Sequence, residues 1–225
     1  MVRVKICGLM RGEDVALCAR AGAHALGFVT EYPVPVPWNL TGQRARELIE
    51  TVPPFVTSCM VTAGSAEKVL LLAGRVRPDI VQLHGDETLE ETVVIAAELK
   101  RIGIRCIRAL RIDKSGGLRF SIPDPGEAAR KLSETDVSAL LVDSYTDTMP
   151  GGTGIKADMR VYDTVCENTN LPVIVGGGLR PDNLAEILGN RRPFAIDVLT
   201  GVEAAGGLKD KEKIGALMSA SATLN

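Results

Sequence analysis

The stretch Leu171-Pro172-Val173-Ile174-Val175-Gly176-Gly177-Gly178-Leu179-Arg180-Pro181-Asp182-Asn183 is followed, after a polar-apolar segment, by Ala195-Ile196-Asp197-Val198-Leu199-Thr200-Gly201. Short β-branched runs read as strands over 171–176 and 194–199, and the spacing predicts a helix over 181–188 between them. Gly176-Gly177-Gly178 closes the first strand, and Thr200-Gly201 follows the second. A glycine turn there lets backbone N–H groups approach an anion closely. A strand, a turn and a helix of this size form one βα unit.

The same alternation runs outward along the whole chain. Strands are expected at 2–7, 24–29, 55–61, 79–84, 104–110, 138–143, 171–176 and 194–199. Helices are expected near 11–21, 41–51, 64–74, 88–101, 126–134, 158–169, 181–188 and 209–219. Strand starts fall roughly 20–35 residues apart. Eight such units predict an α/β (β/α)8 TIM barrel, a single domain over residues 1–225. A doubly wound sheet also alternates strands and helices. The count of eight, and the lack of G-x-G-x-x-G after the first strand, favour the barrel. The Pro-rich run Tyr32–Trp38 reads as a stiff loop after the second strand.

Composition narrows the function. The 225 residues carry 26 Lys+Arg against 28 Asp+Glu, and aromatics make up 4%. That balance excludes a polybasic nucleic-acid binder, and the scarcity of aromatics argues against a base-stacking platform. No apolar run approaches the roughly 18 residues of a membrane span. The opening residues are too short and too charged a stretch for a signal peptide. Five cysteines without a C-x-x-C pair, and two histidines, predict free thiols, a cytoplasmic setting and no metal site. Cys18, Cys59, Cys106 and Cys166 read as small core residues.

Strand alternation sorts the polar residues. With Val2, Val4 and Ile6 facing the helices, Arg3, Lys5 and Cys7 point into the barrel. By the same rule Gln82 and His84, Asp143 and Asp197 point inward. If Ile107 and Ala109 face the helices, Arg108 also points in. Cys7, His84 and Asp143 each end a strand, and C-terminal strand ends carry the active site of this fold. The glycine clusters after the seventh and eighth strands fall where such barrels bind phosphate. Pro150–Gly154 reads either as a loop that closes over a substrate or as an inert surface loop.

These residues resemble a known family. Lys5-Ile6-Cys7-Gly8, Gln82-Leu83-His84-Gly85-Asp86-Glu87, Leu141-Val142-Asp143-Ser144, Gly176–Asn183 and Asp197–Glu203 are similar, in order, to motifs of phosphoribosylanthranilate isomerase. The matches run from residue 3 to about 214. The resemblance implies a cofactor-independent Amadori rearrangement of a phosphoribosyl substrate in tryptophan biosynthesis, by a monomer or homodimer, with no nucleic-acid or membrane partner. It implies Cys7 as general base and Asp143 as general acid. Lys5, Gln82, His84, Arg108 and Asp197 would bind substrate, and Gly177, Gly178, Thr200 and Gly201 the phosphate. Lys5 is expected to favour the Cys7 thiolate, and Asp143 to keep a raised pKa.

Four departures stand out. The loop Thr30–Leu40 lacks the arginine that the family uses for the anthranilate carboxylate, and it carries Glu31. Arg108 or Arg111 are the substitutes, and Trp38 either stacks on the ring or anchors the loop. Leu199-Thr200 replaces two serines, Met10 a threonine, and Thr62-Ala63-Gly64 a Phe-x-Asn. The altered loop keeps two other activities open: a related isomerase with another aglycone, and a non-catalytic phosphosugar-binding barrel.

Overall fold

The computed structural model describes residues 1–113, 115–144, 158–204 and 207–224. Nine strands occur among them: β1 (Arg3–Ile6), β2 (Ala25–Val29), β3 (Thr57–Thr62), β4 (Ile80–Leu83), β5 (Arg105–Ile112), β6 (Leu118–Arg119), β7 (Ala139–Ser144), β8 (Val173–Val175) and β9 (Ala195–Val198). All but β6 are parallel neighbours in the order β1-β2-β3-β4-β5-β7-β8-β9, and β9 pairs with β1 to close the barrel. The short β6 turns back antiparallel on β5, an excursion absent from the sequence reading.

Among the described residues, eight α-helices wrap the barrel: α1 (Gly12–Arg20), α2 (Gly42–Ile49), α3 (Ala66–Val76), α4 (Leu89–Arg101), α5 (Pro125–Ser133), α6 (Met159–Glu167), α7 (Leu184–Leu188) and α8 (Lys211–Ala222). Most starts are fixed by side-chain caps. Thr41, Ser65, Asp124 and Asp210 each accept a backbone N–H of the first turn, and Thr88 with Glu91 completes a capping box on α4. The α7 helix begins three residues later than the spacing predicts. The Asn183 side chain explains this: it accepts from the Arg180 N–H and donates to the Gly178 carbonyl, holding 178–183 as a loop.

The helix-facing layer is the main core. Val4, Ile6, Phe28, Val81, Leu140 and Ile196 pack there as the alternation predicts. A second apolar layer fills the lower barrel interior and includes Ile107, Ala109, Leu141 and Ile174. The strand β5 therefore has the opposite phase from the one expected. Ile107 and Ala109 face inward, and Arg108 faces the helices. Both faces of β5 are rich in apolar residues, so period-2 reading had little to fix the phase. Cys166 is also exposed rather than in the core.

Arg108 is fully buried behind the barrel. Its guanidinium donates to the Glu87 carboxylate at 2.7 Å and to the carbonyls of Leu83, Gly85 and Glu87. Glu87 accepts in turn from the Gly64 and Gly85 N–H groups. One ion pair thus ties the loop after β4 to the loop after β3. Replacing Arg108 with Met should cost about 3–5 kcal/mol in urea unfolding, because Glu87 is left charged and buried. The Arg108→Met/Glu87→Gln double variant should recover part of that loss; a cost below about 1 kcal/mol for the single variant contradicts the clamp.

Candidate active site

Cys7 sits just past the end of β1, where its N–H donates to the Val198 carbonyl at 2.9 Å. It leans across β2. A Cβ on Gly27 would lie 2.5 Å from the Cys7 sulfur and 3.0 Å from its Cα, so only glycine leaves room for this thiol. One inward position below, Lys5 meets its register partner Asp197 on β9, Nζ to Oδ2 at 2.6 Å. Both side chains are buried. The second oxygen of Asp197, Oδ1, is buried without a hydrogen-bond partner among the described residues.

Asp143 reaches the same mouth from β7. Its Oδ1 accepts the Ser144 N–H at 2.8 Å, and its Oδ2 lies 3.4 Å from His84 Nε2. Gln82 Nε2 stands 3.2 Å from His84 Nδ1, so with the amide donating, the ring carries its proton on Nε2, toward Asp143. The loops after β8 and β9 meet beside these groups. A Cβ on Gly201 would fall 1.9 Å from the Leu179 carbonyl oxygen, so the two backbones touch only because residue 201 is glycine. Gly177 and Gly178 both take positive φ. Two glycine-rich loops, after β8 and after β9, therefore meet at the cleft.

The Pro-rich loop after β2 folds over the barrel as an apolar wall. Tyr32 is buried and donates its hydroxyl to the His84 carbonyl at 2.7 Å. Trp38 donates its indole N–H to Glu203, which also pairs with buried Lys209. Trp38 is therefore an anchor that also lines the cleft. Glu31 does not face the site, contrary to the concern raised by the sequence. Its carboxylate accepts the Gly42 N–H at the start of α2.

Cys7, Gln82, His84, Asp143, Asp197, Gly177, Gly178, Thr200 and Gly201 all line one cleft with Tyr32, Val36 and Trp38. Lys5 lies immediately below it. Arg108 does not join them, because it faces the helices, so its sequence assignment as a substrate contact is corrected. The segment 150–154 lies outside the described residues. Tyr32 was the residue missed: the sequence showed a proline-rich loop but no sign that it reached His84.

Electrostatics separate the two candidate proton carriers. Burial, aided by the Asp197 charge, pushes the Asp143 carboxyl up to about 7; the Ser144 N–H, Lys5 and Arg111 oppose the rise. Burial also pushes the Cys7 thiol up. Lys5 pulls it back, but Asp197 offsets part of that pull, so the net direction is upward rather than toward the expected thiolate.

Residues 4–220 match the family model described as N-(5'-phosphoribosyl)anthranilate (PRA) isomerase. This chain belongs to the phosphoribosylanthranilate isomerase family. The N-(5'-phosphoribosyl)anthranilate isomerase of Halorubrum lacusprofundi is 39% identical over 215 residues, covering 95% of this chain and 94% of that one. The protein of the same name from Haloferax volcanii is 36% identical over 99% of this chain and 94% of its own. Among solved structures, the phosphoribosyl anthranilate isomerase of Thermus thermophilus has a TM-score of 0.79 and 31% identity, with both chains covered in full. Another isomerase structure, in complex with reduced 1-(o-carboxyphenylamino)-1-deoxyribulose 5-phosphate, has a TM-score of 0.77 and 30% identity, again with full coverage of both. The chain is thus an isomerase of tryptophan biosynthesis. Of the three activities left open by the sequence, the comparisons select this one.

The raised Asp143 pKa has a consequence for stability. An unfolded aspartate releases its proton near about 3.9, the folded one near 7, so the folded state loses stability as pH rises through that window. Asp143→Asn removes the penalty. Its stability gain over the native chain should grow between about pH 4 and 7, reaching a few kcal/mol at most, and stay flat above. Thermal unfolding across pH reads this directly, and a gain independent of pH contradicts it.

Proposed function

We propose that this cleft converts N-(5-phosphoribosyl)anthranilate to 1-(2-carboxyphenylamino)-1-deoxyribulose 5-phosphate, with Asp143 as general acid and Cys7 as general base. The observation that carries the proposal is a carboxyl protonated near neutrality, sharing one cleft with a thiol and with two glycine loops. The loops suit the 5-phosphate. The cleft's apolar wall of Val29, Tyr32, Val36 and Trp38 suits the aromatic ring.

In the first step the Asp143 proton passes to the ring oxygen and the C1'–O4' bond breaks, leaving an iminium at C1'. That cation acidifies the C2' hydrogen. The Cys7 thiolate removes it as a proton, and its electron pair becomes the C1'–C2' double bond of an enolamine. Loss of the C2' hydroxyl proton and protonation at C1' then give the ketose. Electrons move only within the substrate, so the step needs no outside oxidant or reductant. Asp197 Oδ1, which has no hydrogen-bond partner among the described residues, would accept a hydroxyl of the opened sugar.

The productive state pairs a protonated Asp143 with an ionised Cys7. Given the upward shift of the thiol, this is the minority arrangement of their two protons. A pH profile of kcat/KM then climbs to a plateau that begins near 7. The unmet apolar surface at the opposite barrel end, where Phe55 is fully exposed in a left-handed backbone conformation, favours the homodimer over the monomer. The free cysteines fit a reducing cytoplasm.

Loss of anthranilate-type fluorescence from freshly made substrate tests the assignment. Asp143→Asn and Cys7→Ser should each lower kcat by about 10²–10⁴, with KM changed far less. Retained turnover in either variant contradicts its role.

A further inference from the structure

Three side chains of the barrel interior form a chain that ends on Asp143. Cys59 on β3 is fully buried in the apolar layer that also holds Cys7 and Val61, and its Sγ lies 3.9 Å from Gln82 Oε1. Gln82 Nε2 stands 3.2 Å from His84 Nδ1, and His84 Nε2 lies 3.4 Å from Asp143 Oδ2. The His84 main chain is pinned on both sides: its N–H donates to the Thr62 carbonyl, and its own carbonyl accepts from Tyr32. What remains to be set is which ring nitrogen carries the proton. Neutral imidazole has two tautomers, and only one turns an N–H toward Asp143. A glutamine can select either, because its amide offers a donor or an acceptor according to which way it is turned. Cys59 decides the turn. Burial, above all, pushes its thiol up to about 12, so it holds its hydrogen through neutral pH and donates to the amide oxygen. An amide NH2 on that side would meet a second donor, and the Lys5 charge, which also reaches Cys59, works against it.

We infer that Cys59 and Gln82 are positioning residues for the reaction: they fix the Nε2–H tautomer of His84, which donates to Asp143 as that carboxyl gives up its proton. The kinetic half of this inference rests on the proposed activity; the tautomer does not. Both ends of the Gln82 amide are engaged inside the barrel, so Gln82 supports His84 rather than the substrate. A hydrogen bond to a carboxylate is about twice as strong as one to a neutral acid, and shorter. The contact of 3.4 Å therefore tightens as charge builds on Oδ2. It favours the state after proton transfer over the state before it, so it acts on the barrier and hardly on substrate binding.

Nitrogen-15 NMR of the histidine rings reads the tautomer, and steady-state kinetics with N-(5-phosphoribosyl)anthranilate reads its consequence. The chain has two histidines. His24 serves as the internal reference, because its Nδ1 accepts the Val4 N–H at 3.1 Å and its proton therefore sits on Nε2. Native His84 should show the same Nε2–H form near neutral pH. Gln82→Met, close in size but without an amide, should give a mixture of His84 tautomers and lower kcat by on the order of 10–100-fold, with KM changed far less. Cys59→Ala should act in the same direction with a smaller loss of about 2–10-fold, and Cys59→Ser, which keeps a donor, should restore most of it. An Nδ1–H form of His84 in the native chain overturns the inference. So does a native tautomer in both Gln82→Met and Cys59→Ala, or a loss of kcat equal in Cys59→Ala and Cys59→Ser. Should Gln82→Met fail to fold, the two Cys59 variants decide. If native His84 holds the Nε2–H form and the chain turns over no substrate, the proposed activity itself fails, an outcome distinct from any of these.

Discussion

The ion pair between Lys5 and Asp197 governs the chemistry of the barrel mouth. It joins the first strand to the last at the closing seam, with both side chains buried. Burial disfavours each charge alone, and proximity restores both. Lys5 is held charged in this way, above its ordinary range, by Asp197. The same Asp197 charge acts on the two groups above it. It adds to the burial that keeps Asp143 protonated near neutrality, and it blunts the pull of Lys5 on the Cys7 thiol. One carboxylate therefore adds to burial in shifting both the proposed acid and the proposed base upward.

Close backbone approaches make this arrangement possible. Cys7 has room because residue 27 carries no side chain, and the phosphate-side loops touch because residue 201 carries none. Around them, hydrogen bonds lock the mouth. Tyr32 holds the His84 carbonyl, Trp38 holds Glu203, and Arg108 with Glu87 holds the loops after β3 and β4. Rigid support matters for proton transfer, since a misplaced acid or base loses its effect steeply with distance.

Much of this was legible in the chain. Eight parallel strands lie within a few residues of their expected positions, because each β-branched run was bounded by polar or glycine-rich turns. The inward phase of Cys7, His84, Asp143 and Asp197 followed from clean alternation. Arg108 was misplaced because β5 is apolar on both faces, so its sequence held little phase information; only the partner Glu87, 21 residues away, shows which side it takes. Glu31 was misjudged for a related reason: its direction depends on the start of α2, 11 residues on. The role of Tyr32 rests on a contact 52 residues away, with no local pattern to mark it. The Cys7 shift depended on a balance of burial against two opposite charges, which spacing along β1 does not reveal.

The central claim is that Asp143 keeps its proton in the folded enzyme up to about pH 7, where an ordinary aspartate is ionised. Carbon-13 NMR of aspartate carboxyl groups, titrated in the native chain and in Asp143→Asn, isolates its ionisation. An apparent pKa near 7 is predicted. A value close to the ordinary range near about 3.9 would contradict the account, because the proposed acid would hold no proton to give.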